Sequence, residues 1–164
     1  MKEIGIGVIG TGFMGKAHSI AYSASASVFG TGLRPRLEIV CDLSPDRASQ
    51  RATDLGFSRY TADWREVVND PAVDLISVCT PNDTHAEISI AALEAGKHVV
   101  CEFPLAGNAR TARELFRLAD EQERVLHVEH IELLTPVARW LRAHIRPRDI
   151  CAGSVRFRTK VRPE

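Results

Sequence analysis

Short apolar runs alternate with amphipathic stretches along most of the 164-residue chain. Within the runs, apolar residues follow one another continuously, which is typical of strands buried on both faces of a parallel sheet. Between the runs they recur at helical spacing, so the pattern predicts an α/β fold, a doubly wound parallel sheet covered by helices. The predicted strands are Ile4–Ile9, Leu37–Cys41, Ser58–Thr61, Leu75–Cys79, His98–Cys101 and Val125–Val128.

The helices predicted between these strands have ordinary start signals. Ser44 followed by Pro45 is one of them, because serine caps a first turn and proline suits the first helical position. Ser23–Pro35 is rich in serine, alanine and glycine, and we interpret it as a loop inserted between the first helix and the second strand. The predicted helices are Met14–Ser23, Pro45–Leu55, Trp64–Asn69, Thr84–Ala95, Thr111–Glu123 and Pro136–Ile145.

The pattern changes after residue 130. Ser154–Val161 alternates apolar with basic residues, as in a strand of an antiparallel sheet with one solvated face. A lone strand cannot pair its backbone or bury its apolar side. Residues 131–164 are therefore expected to form a linker helix and the first strand of an α+β domain that is truncated or completed by a partner chain. The basic residues from Arg139 to Arg162 are interpreted as a solvated face, with docking of an anionic group as the alternative.

Composition and charge narrow the class of protein. Lys+Arg and Asp+Glu each number 21, so the formal net charge is zero and nothing in it suggests a nucleic-acid or membrane partner. We expect no leader and no membrane span, because no apolar run has the length that either requires. The 4 cysteines lack a CxxC pair and are expected to be free thiols in a reducing compartment, the cytoplasm.

A glycine-rich motif follows the first predicted strand and opens the first helix. In that context the first glycine permits a tight turn, the second lets the backbone approach a pyrophosphate, and the third packs the helix against the strand. A helix N-terminus also attracts anions. The motif therefore predicts a dinucleotide-binding βαβ unit, with a glycine-rich turn that binds no ligand as the alternative. Its residues are Gly10, Thr11, Gly12, Phe13, Met14 and Gly15.

Asp42 directly follows the second predicted strand. A carboxylate at this point accepts both hydroxyls of the adenosine ribose and repels a 2′-phosphate, which favours NAD over NADP. Its separation from Gly10 exceeds the usual spacing of about 20 residues, and the predicted inserted loop accounts for the excess. The alternative is that Asp42 caps the following helix. Arg47 and Ser44 lie close enough in sequence to keep NADP use possible.

Two further runs follow the fourth and fifth predicted strands, at the edge where open α/β sheets bind ligands. They are Thr80-Pro81-Asn82-Asp83-Thr84-His85 and Cys101-Glu102-Phe103-Pro104. With residues 10–18 (GTGFMGKAH) and 95–101 (AGKHVVC), they resemble the glucose–fructose oxidoreductase / inositol dehydrogenase (Gfo/Idh/MocA) family over residues 4 to about 128. The resemblance implies a nicotinamide-dependent oxidoreductase with a Rossmann domain over residues 1–130 and a carboxy-terminal substrate domain.

The same resemblance implies residue roles. Thr80, Asn82 and His85 would line the nicotinamide ribose, with Pro81 also at the cofactor, and Glu102 would help to hold the ribose. The family's Glu-Lys-Pro signature carries a lysine that polarises or deprotonates the substrate hydroxyl. Phe103 occupies that position here, and its side chain neither donates nor titrates. The catalytic group is therefore unassigned, although His85 and Glu102 lie nearby in sequence.

A second resemblance concerns the substrate. Residues 124–134 are similar to biliverdin reductases of the same superfamily, which carry Glu-Tyr-Pro where this chain has Glu-Phe-Pro. The implied reaction is hydride transfer to a conjugated acceptor such as a bilin, for which a lysine is less necessary. The sequence thus predicts an NAD(P)-dependent oxidoreductase acting on a small sugar-type, cyclitol-type or bilin-type substrate.

The alternative class is a non-catalytic dinucleotide-binding module or assembly subunit. A homo-oligomer, or a partner chain that completes the terminal sheet, is expected in either case. No metal site is expected, because the residues around His127 and Glu129 converge poorly on a strand. His18, on the first predicted helix, either faces the cleft or packs within the fold.

Overall fold

The strands form one parallel sheet. The structure, a computed structural model, describes residues 1–30, 32–130 and 135–144. Its strands are β1 (Lys2–Ile9), β2 (Leu33–Cys41), β3 (Arg59–Thr61), β4 (Leu75–Val78), β5 (His98–Glu102) and β6 (Leu126–Glu129). They lie in the order β3-β2-β1-β4-β5-β6, and every neighbouring pair is parallel. The predicted doubly wound α/β fold is confirmed.

Helices connect the strands. They are α1 (Phe13–Phe29), α2 (Pro45–Leu55), α3 (Trp64–Asn69), α4 (His85–Glu94), α5 (Ala109–Glu121) and α6 (Pro136–His144), and a 3₁₀ turn at Asn82–Thr84 precedes α4. The Ser44 hydroxyl caps α2 by accepting the Arg47 N–H, with Pro45 at the start of the helix. Among the described helices, none has both the length and the apolar character needed to cross a membrane.

Apolar residues are buried on both faces of the sheet, as the continuous apolar runs predict. One cluster joins residues of the central strands to α3, α4 and α5, with Val67, Ile88 and Leu115 fully buried. The other includes Ile6 and Val8 of β1, which pack with Ala52 of α2. Because each face of the sheet is covered, the open edge at the carboxyl ends of the strands is left to bind ligands.

The predicted loop at Ser23–Pro35 is wrong. The first helix continues to Phe29, the second strand begins at Leu33, and Gly30 ends the helix in the left-handed conformation with φ of 57°. The serine hydroxyls of this stretch donate back to helix carbonyls, Ser23 to Ser19 and Ser25 to Tyr22. Alanine between them is the strongest helix former, so the composition that suggested a loop supports a helix. A longer helix and strand, rather than a loop, account for the late position of Asp42.

The chain divides into two compact units, the first of which is Met1–Glu129. Of the second unit the structure describes residue 130 and residues 135–144, which include α6. Within α6 the rings of Trp140 and His144 stack with centroids 4.6 Å apart. The predicted strand at Ser154–Val161 and most of the basic tail lie outside the described residues.

Candidate dinucleotide-binding site

The candidate site lies at the carboxyl edge of the sheet. β1 pairs with β2 on one side and with β4 on the other. The helices after β1 and β4 therefore leave the sheet on opposite sides of this edge, which is the switch point where open α/β sheets bind their ligands. The segments that follow β1, β2, β4 and β5 carry the candidate residues of the sequence analysis.

The glycine loop after β1 is closely packed. Gly10 has φ of 96°, a conformation that side chains rarely adopt, and a Cβ there would lie 2.5 Å from the carbonyl oxygen of Cys79. A Cβ on Gly15 would lie 1.9 Å from the carbonyl oxygen of Gly10, so α1 packs directly on the loop. A Cβ on Gly12 would meet nothing within 4 Å. The loop is thus tight on its protein side and open at Gly12.

The start of α1 presents backbone donors at this opening. The Lys16 N–H donates to the Gly12 carbonyl oxygen at 3.2 Å and makes the first hydrogen bond of the helix. The N–H groups of the residues between them have no acceptor within the helix. The first turn carries no acidic residue, and its first residue, Phe13, is 80% exposed. These N–H groups, which the helical ladder does not use, and the positive end of a 17-residue helix together attract an anionic group.

Asp42 follows β2, and its carboxylate is anchored from several directions. The Thr11 hydroxyl donates to Oδ2, while the Ser44 N–H and the Arg47 Nε–H donate to Oδ1 at 3.1 and 2.9 Å. Burial raises the pKa of the carboxyl, but the hydrogen bonds from Thr11 and Ser44 and the Arg47 charge outweigh it and bring the pKa below its ordinary value. Asp42 is therefore ionised at neutral pH. The helix cap is Ser44, not Asp42.

The segment after β4 is folded on itself. The Thr84 hydroxyl donates to the Thr80 hydroxyl at 2.7 Å, and the Thr84 N–H donates to the Pro81 carbonyl at 3.0 Å. Pro81 and Asn82 are exposed at the turn. These bonds hold the 3₁₀ turn at the sheet edge and leave Asn82 on the surface.

The side chain of His85 is buried at the start of α4. The sequence analysis expected it to line the nicotinamide ribose, whereas the side chain is buried, with 1% of the residue exposed. Nδ1 lies 2.8 Å from the Pro104 carbonyl oxygen, and Nε2 lies 2.8 Å from the Thr80 carbonyl oxygen. His85 thus joins the segments after β4 and β5, and what its surroundings support is a structural role.

Glu102 and Phe103, at the end of β5, differ in exposure. The Glu102 side chain is 16% exposed, and its Oε1 lies 2.9 Å from Nε2 of His18 on α1. Phe103, in the position of the expected lysine, is 51% exposed. The sheet edge therefore presents an aromatic surface at the point where the resemblance expects a titrating ammonium group.

Three polar side chains connect to Glu102, and of these the sequence analysis singled out only His18. His18 Nδ1 lies 3.2 Å from the Ser77 hydroxyl, which lies 2.7 Å from the Tyr22 hydroxyl. Tyr22 stands one helical turn after His18, a spacing that places both on one face of α1. That spacing was the available signal, but only the tertiary structure brings Ser77 of β4 between them.

Three potential metal ligands also meet here. The ligand atoms of His18, Cys79 and Glu102 lie within 4.8 Å of one another. However, Cys79 faces Nδ1 of the histidine, whereas Glu102 faces Nε2. One ion cannot bind through both ring nitrogens, and burial raises the pKa of the Cys79 thiol, which disfavours the thiolate that metals require. The geometry therefore supports a hydrogen-bonded cluster.

The sheet order, the glycine loop and the acid after β2 define the class of protein as a dinucleotide-binding α/β domain. Comparison with known sequences gives the family. Residues 4–130 match the oxidoreductase family with an NAD-binding Rossmann fold, Gfo/Idh/MocA. The chain belongs to this family, as the resemblance of its motifs predicted.

Curated relatives include levoglucosan dehydrogenase and biliverdin reductase A of Mus musculus. Levoglucosan dehydrogenase of Pseudarthrobacter phenanthrenivorans is 39% identical over 129 residues, which is 78% of this chain and 33% of that protein. The chain thus spans about a third of the length of that curated relative.

The solved structures that resemble this chain include the same two kinds of enzyme. Levoglucosan dehydrogenase in complex with NADH matches with a TM-score of 0.79 and 36% identity, over 88% of this chain and 39% of that one. Biliverdin reductase from Synechocystis sp. PCC 6803, in complex with biliverdin and NADP+, matches with a TM-score of 0.76 and 34% identity, over 87% of this chain and 42% of that one. Both nicotinamide cofactors therefore occur among the structural neighbours.

Proposed function

We propose that this chain binds NAD(H) as the cofactor domain of an oxidoreductase that transfers hydride between nicotinamide and a small organic substrate. The observation that carries the proposal is the anchored Asp42 carboxylate beside the open glycine loop. The Thr11–Asp42 hydrogen bond joins the loop to the acid that would bind the adenosine ribose. When bound, the nicotinamide supplies or accepts the hydride.

The residues fit the cofactor along its length. The first-turn N–H groups of α1 and the uncrowded Gly12 would receive the pyrophosphate, with Thr11, Phe13 and Met14 around it. Asp42 would accept the ribose hydroxyls, and its negative charge disfavours a 2′-phosphate. Thr80, Pro81, Asn82 and Glu102 lie at the edge where the nicotinamide end would rest.

Arg47 supports NADP as the alternative cofactor. Its side chain is 58% exposed and pairs with Asp42 at 2.9 Å. A long exposed side chain can leave this pair and turn its guanidinium toward a phosphate, for which arginine is well suited. Comparing the affinities for NADH and NADPH therefore separates the role of Asp42 from that of Arg47.

The test is a fluorescence titration of the wild-type chain with NADH and NADPH, repeated for Asp42→Ala. We expect NADH to bind more tightly to the wild type, and Asp42→Ala to weaken NADH by about 10-fold or more, since hydrogen bonds to a charged group contribute about 1.5–3 kcal/mol. Asp120→Ala, an exposed aspartate on α5, is the control and should leave both affinities unchanged. Unchanged NADH affinity in Asp42→Ala would contradict the ribose assignment.

The substrate class rests on Phe103. Reaction at a carbinol requires an acid–base group within hydrogen-bond reach, whereas hydride transfer to a carbon of a conjugated acceptor has less need of one beside the nicotinamide. An exposed phenyl ring at this position favours a bilin-type acceptor over a sugar or cyclitol. The measurement is NADH oxidation by the intact protein with biliverdin and, separately, with oxidised cyclitols and sugars.

A non-catalytic dinucleotide-binding module is the second candidate, and Phe103 is again the observation that favours it. This candidate predicts tight NADH binding with no oxidation by any acceptor of that panel. Turnover with either class of acceptor would exclude it, so the same two measurements decide between the candidates.

Two further expectations also belong to the proposal. A homo-oligomer, or a partner chain, is expected because the alternating sequence of residues 154–161 predicts a strand that needs a pairing strand; light scattering after gel filtration measures the assembly. A reducing compartment, the cytoplasm, is supported by the free thiols of Cys41, Cys79 and Cys101.

A further inference from the structure

A series of polar side chains runs from the middle of α1 to the end of β5, and the cofactor motifs do not account for it. Its members are Tyr22, Ser77, His18 and Glu102, joined by contacts of 2.7, 3.2 and 2.9 Å. Ser77 is fully buried, and the side chains of His18 and Glu102 are 10% and 16% exposed. Buried polar groups at such distances are hydrogen-bonded, so each contact in the series has one donor and one acceptor.

The direction follows from the chemistry of the two ends. An ionised Glu102 carboxylate only accepts, so His18 Nε2 must carry the proton between them. With one proton on the ring, Nδ1 is an acceptor and takes the Ser77 hydroxyl proton. The Ser77 oxygen then accepts from the Tyr22 hydroxyl. In this order every donor has one acceptor, and the series ends on the carboxylate.

The opposite order leaves a donor without an acceptor. With a proton on Nδ1, the Ser77 oxygen would accept from the ring, and its own proton would either occupy the phenol oxygen, so that the phenol proton loses Ser77 as its acceptor, or have no acceptor in the series. Nε2 would then also face the Glu102 carboxylate without a proton. Burial raises the pKa of Tyr22 to about 12, so the phenol keeps its proton at neutral pH. A transfer of protons along the series toward Glu102 would leave a buried phenolate at Tyr22. The series is therefore not a path for proton transfer, and it acts as a fixed support for the carboxylate.

We propose that Tyr22, Ser77 and His18 form a directional hydrogen-bond series that fixes the Glu102 carboxylate at the nicotinamide end of the site. His18 and Tyr22 are positioning residues in this proposal, which rests on the proposed cofactor binding. The ionised carboxylate has about four acceptor positions, so the bond from His18 leaves capacity for a ligand hydroxyl. In the absence of the family lysine, this support is what holds the acidic residue of the Glu-Phe-Pro run.

The first experiment needs no cofactor. Long-range ¹H–¹⁵N NMR of the uniformly labelled 164-residue chain reports which ring nitrogens carry protons, and loss of one ring signal in His18→Gln assigns it. At pH 7.5 we expect His18 protonated on Nε2 alone. A proton on Nδ1, alone or together with Nε2, would overturn the directional series even if the chain binds NADH.

The second experiment separates the two sides of His18 by NADH titration. Glutamine places its amide near the position of Nε2 and keeps a donor for Glu102, whereas asparagine reaches only as far as Nδ1. We therefore expect His18→Gln to stay within about 3-fold of the wild type and His18→Asn to lose about 10-fold, as one hydrogen bond to a charged group predicts. Equal affinities for the two variants would contradict the positioning role.

The third arm examines the far end of the series. Tyr22→Phe removes only the hydroxyl and should weaken NADH binding by about 3-fold, as loss of one neutral hydrogen bond predicts. Tyr60→Phe is the matched control, because this second tyrosine is 51% exposed on β3. An affinity of Tyr22→Phe equal to that of Tyr60→Phe would overturn the role of Tyr22. A wild type that binds no NADH contradicts the proposed function, while the NMR result still decides the series.

Discussion

The Thr11 hydroxyl donates a hydrogen bond to the Asp42 carboxylate across a separation of 31 positions in sequence. The bond connects the glycine loop after β1 to the residue that follows β2, and Thr11 is 4% exposed. Asp42 thereby has a fixed orientation before any ligand arrives. Preorganisation of this kind lowers the free-energy cost of ordering the site on binding.

Thr11→Val tests this connection. Valine keeps the shape but removes the donor, so we expect the free energy of unfolding to fall by about 1.5–3 kcal/mol and NADH affinity to fall by about 10-fold. Urea unfolding and NADH fluorescence measure the two effects. Thr53→Val is the control, because the Thr53 hydroxyl is exposed and bonds only within α2. Similar losses in both variants would mean that the Thr11–Asp42 bond has no special role.

The sequence predicts the fold well because its strands are buried on both faces. Continuous apolar runs such as Ile4–Ile9 have few alternative structures. The prediction fails at Ser23–Pro35, where serine and alanine fit either a loop or a helix. The decision there depends on hydroxyl bonds to the helix backbone and on the turn at Gly30, which local composition does not reveal.

The site is predictable as a set of motifs but not as a set of contacts. The glycine spacing and Asp42 follow from their places after strands. The burial of His85 does not, because a motif gives residue types without side-chain orientations. The contacts of Glu102 with His18 and, through it, Ser77 depend on how α1 lies on β4 and β5, which is a property of the whole packed fold.

The lowered pKa of Asp42 predicts a pH dependence of stability. Since the folded pKa lies below the unfolded value of about 3.9, the ionised carboxylate stabilises the fold fully above that value and loses this effect as pH falls through the folded pKa. The difference in unfolding free energy between wild type and Asp42→Asn should therefore be constant from about pH 8 to 5 and shrink below about pH 4. Urea unfolding over this range measures it. A difference that grows toward acid would have the wrong sign.

Substitution of His85 is expected to lower the free energy of unfolding. Leucine would remove the ring nitrogens that lie 2.8 Å from the carbonyl oxygens of Thr80 and Pro104, and a buried carbonyl that loses its donor costs about 1–3 kcal/mol. We expect His85→Leu to lose about 3 kcal/mol and His85→Gln, which keeps one donor group, to lose about half of that. His144→Gln, an exposed histidine of α6, should change stability by less than about 0.5 kcal/mol. Equal effects of the leucine and glutamine variants would contradict the bridging role.

Phe103→Lys tests why the site lacks the expected ammonium group. Phe103 is half-exposed, so lysine at this position should leave folding and NADH affinity within about 3-fold of the wild type. A positioned acid–base group contributes about 10²–10⁴-fold to rate, and we expect the intact variant to reduce NAD+ with cyclitols or sugars at least about 10-fold faster than the wild type. Phe103→Leu, which stays apolar, is the matched control. If lysine and leucine give the same rate with polyols, the rest of the site is not built for a carbinol, and the conjugated acceptor and the non-catalytic module remain as the candidates.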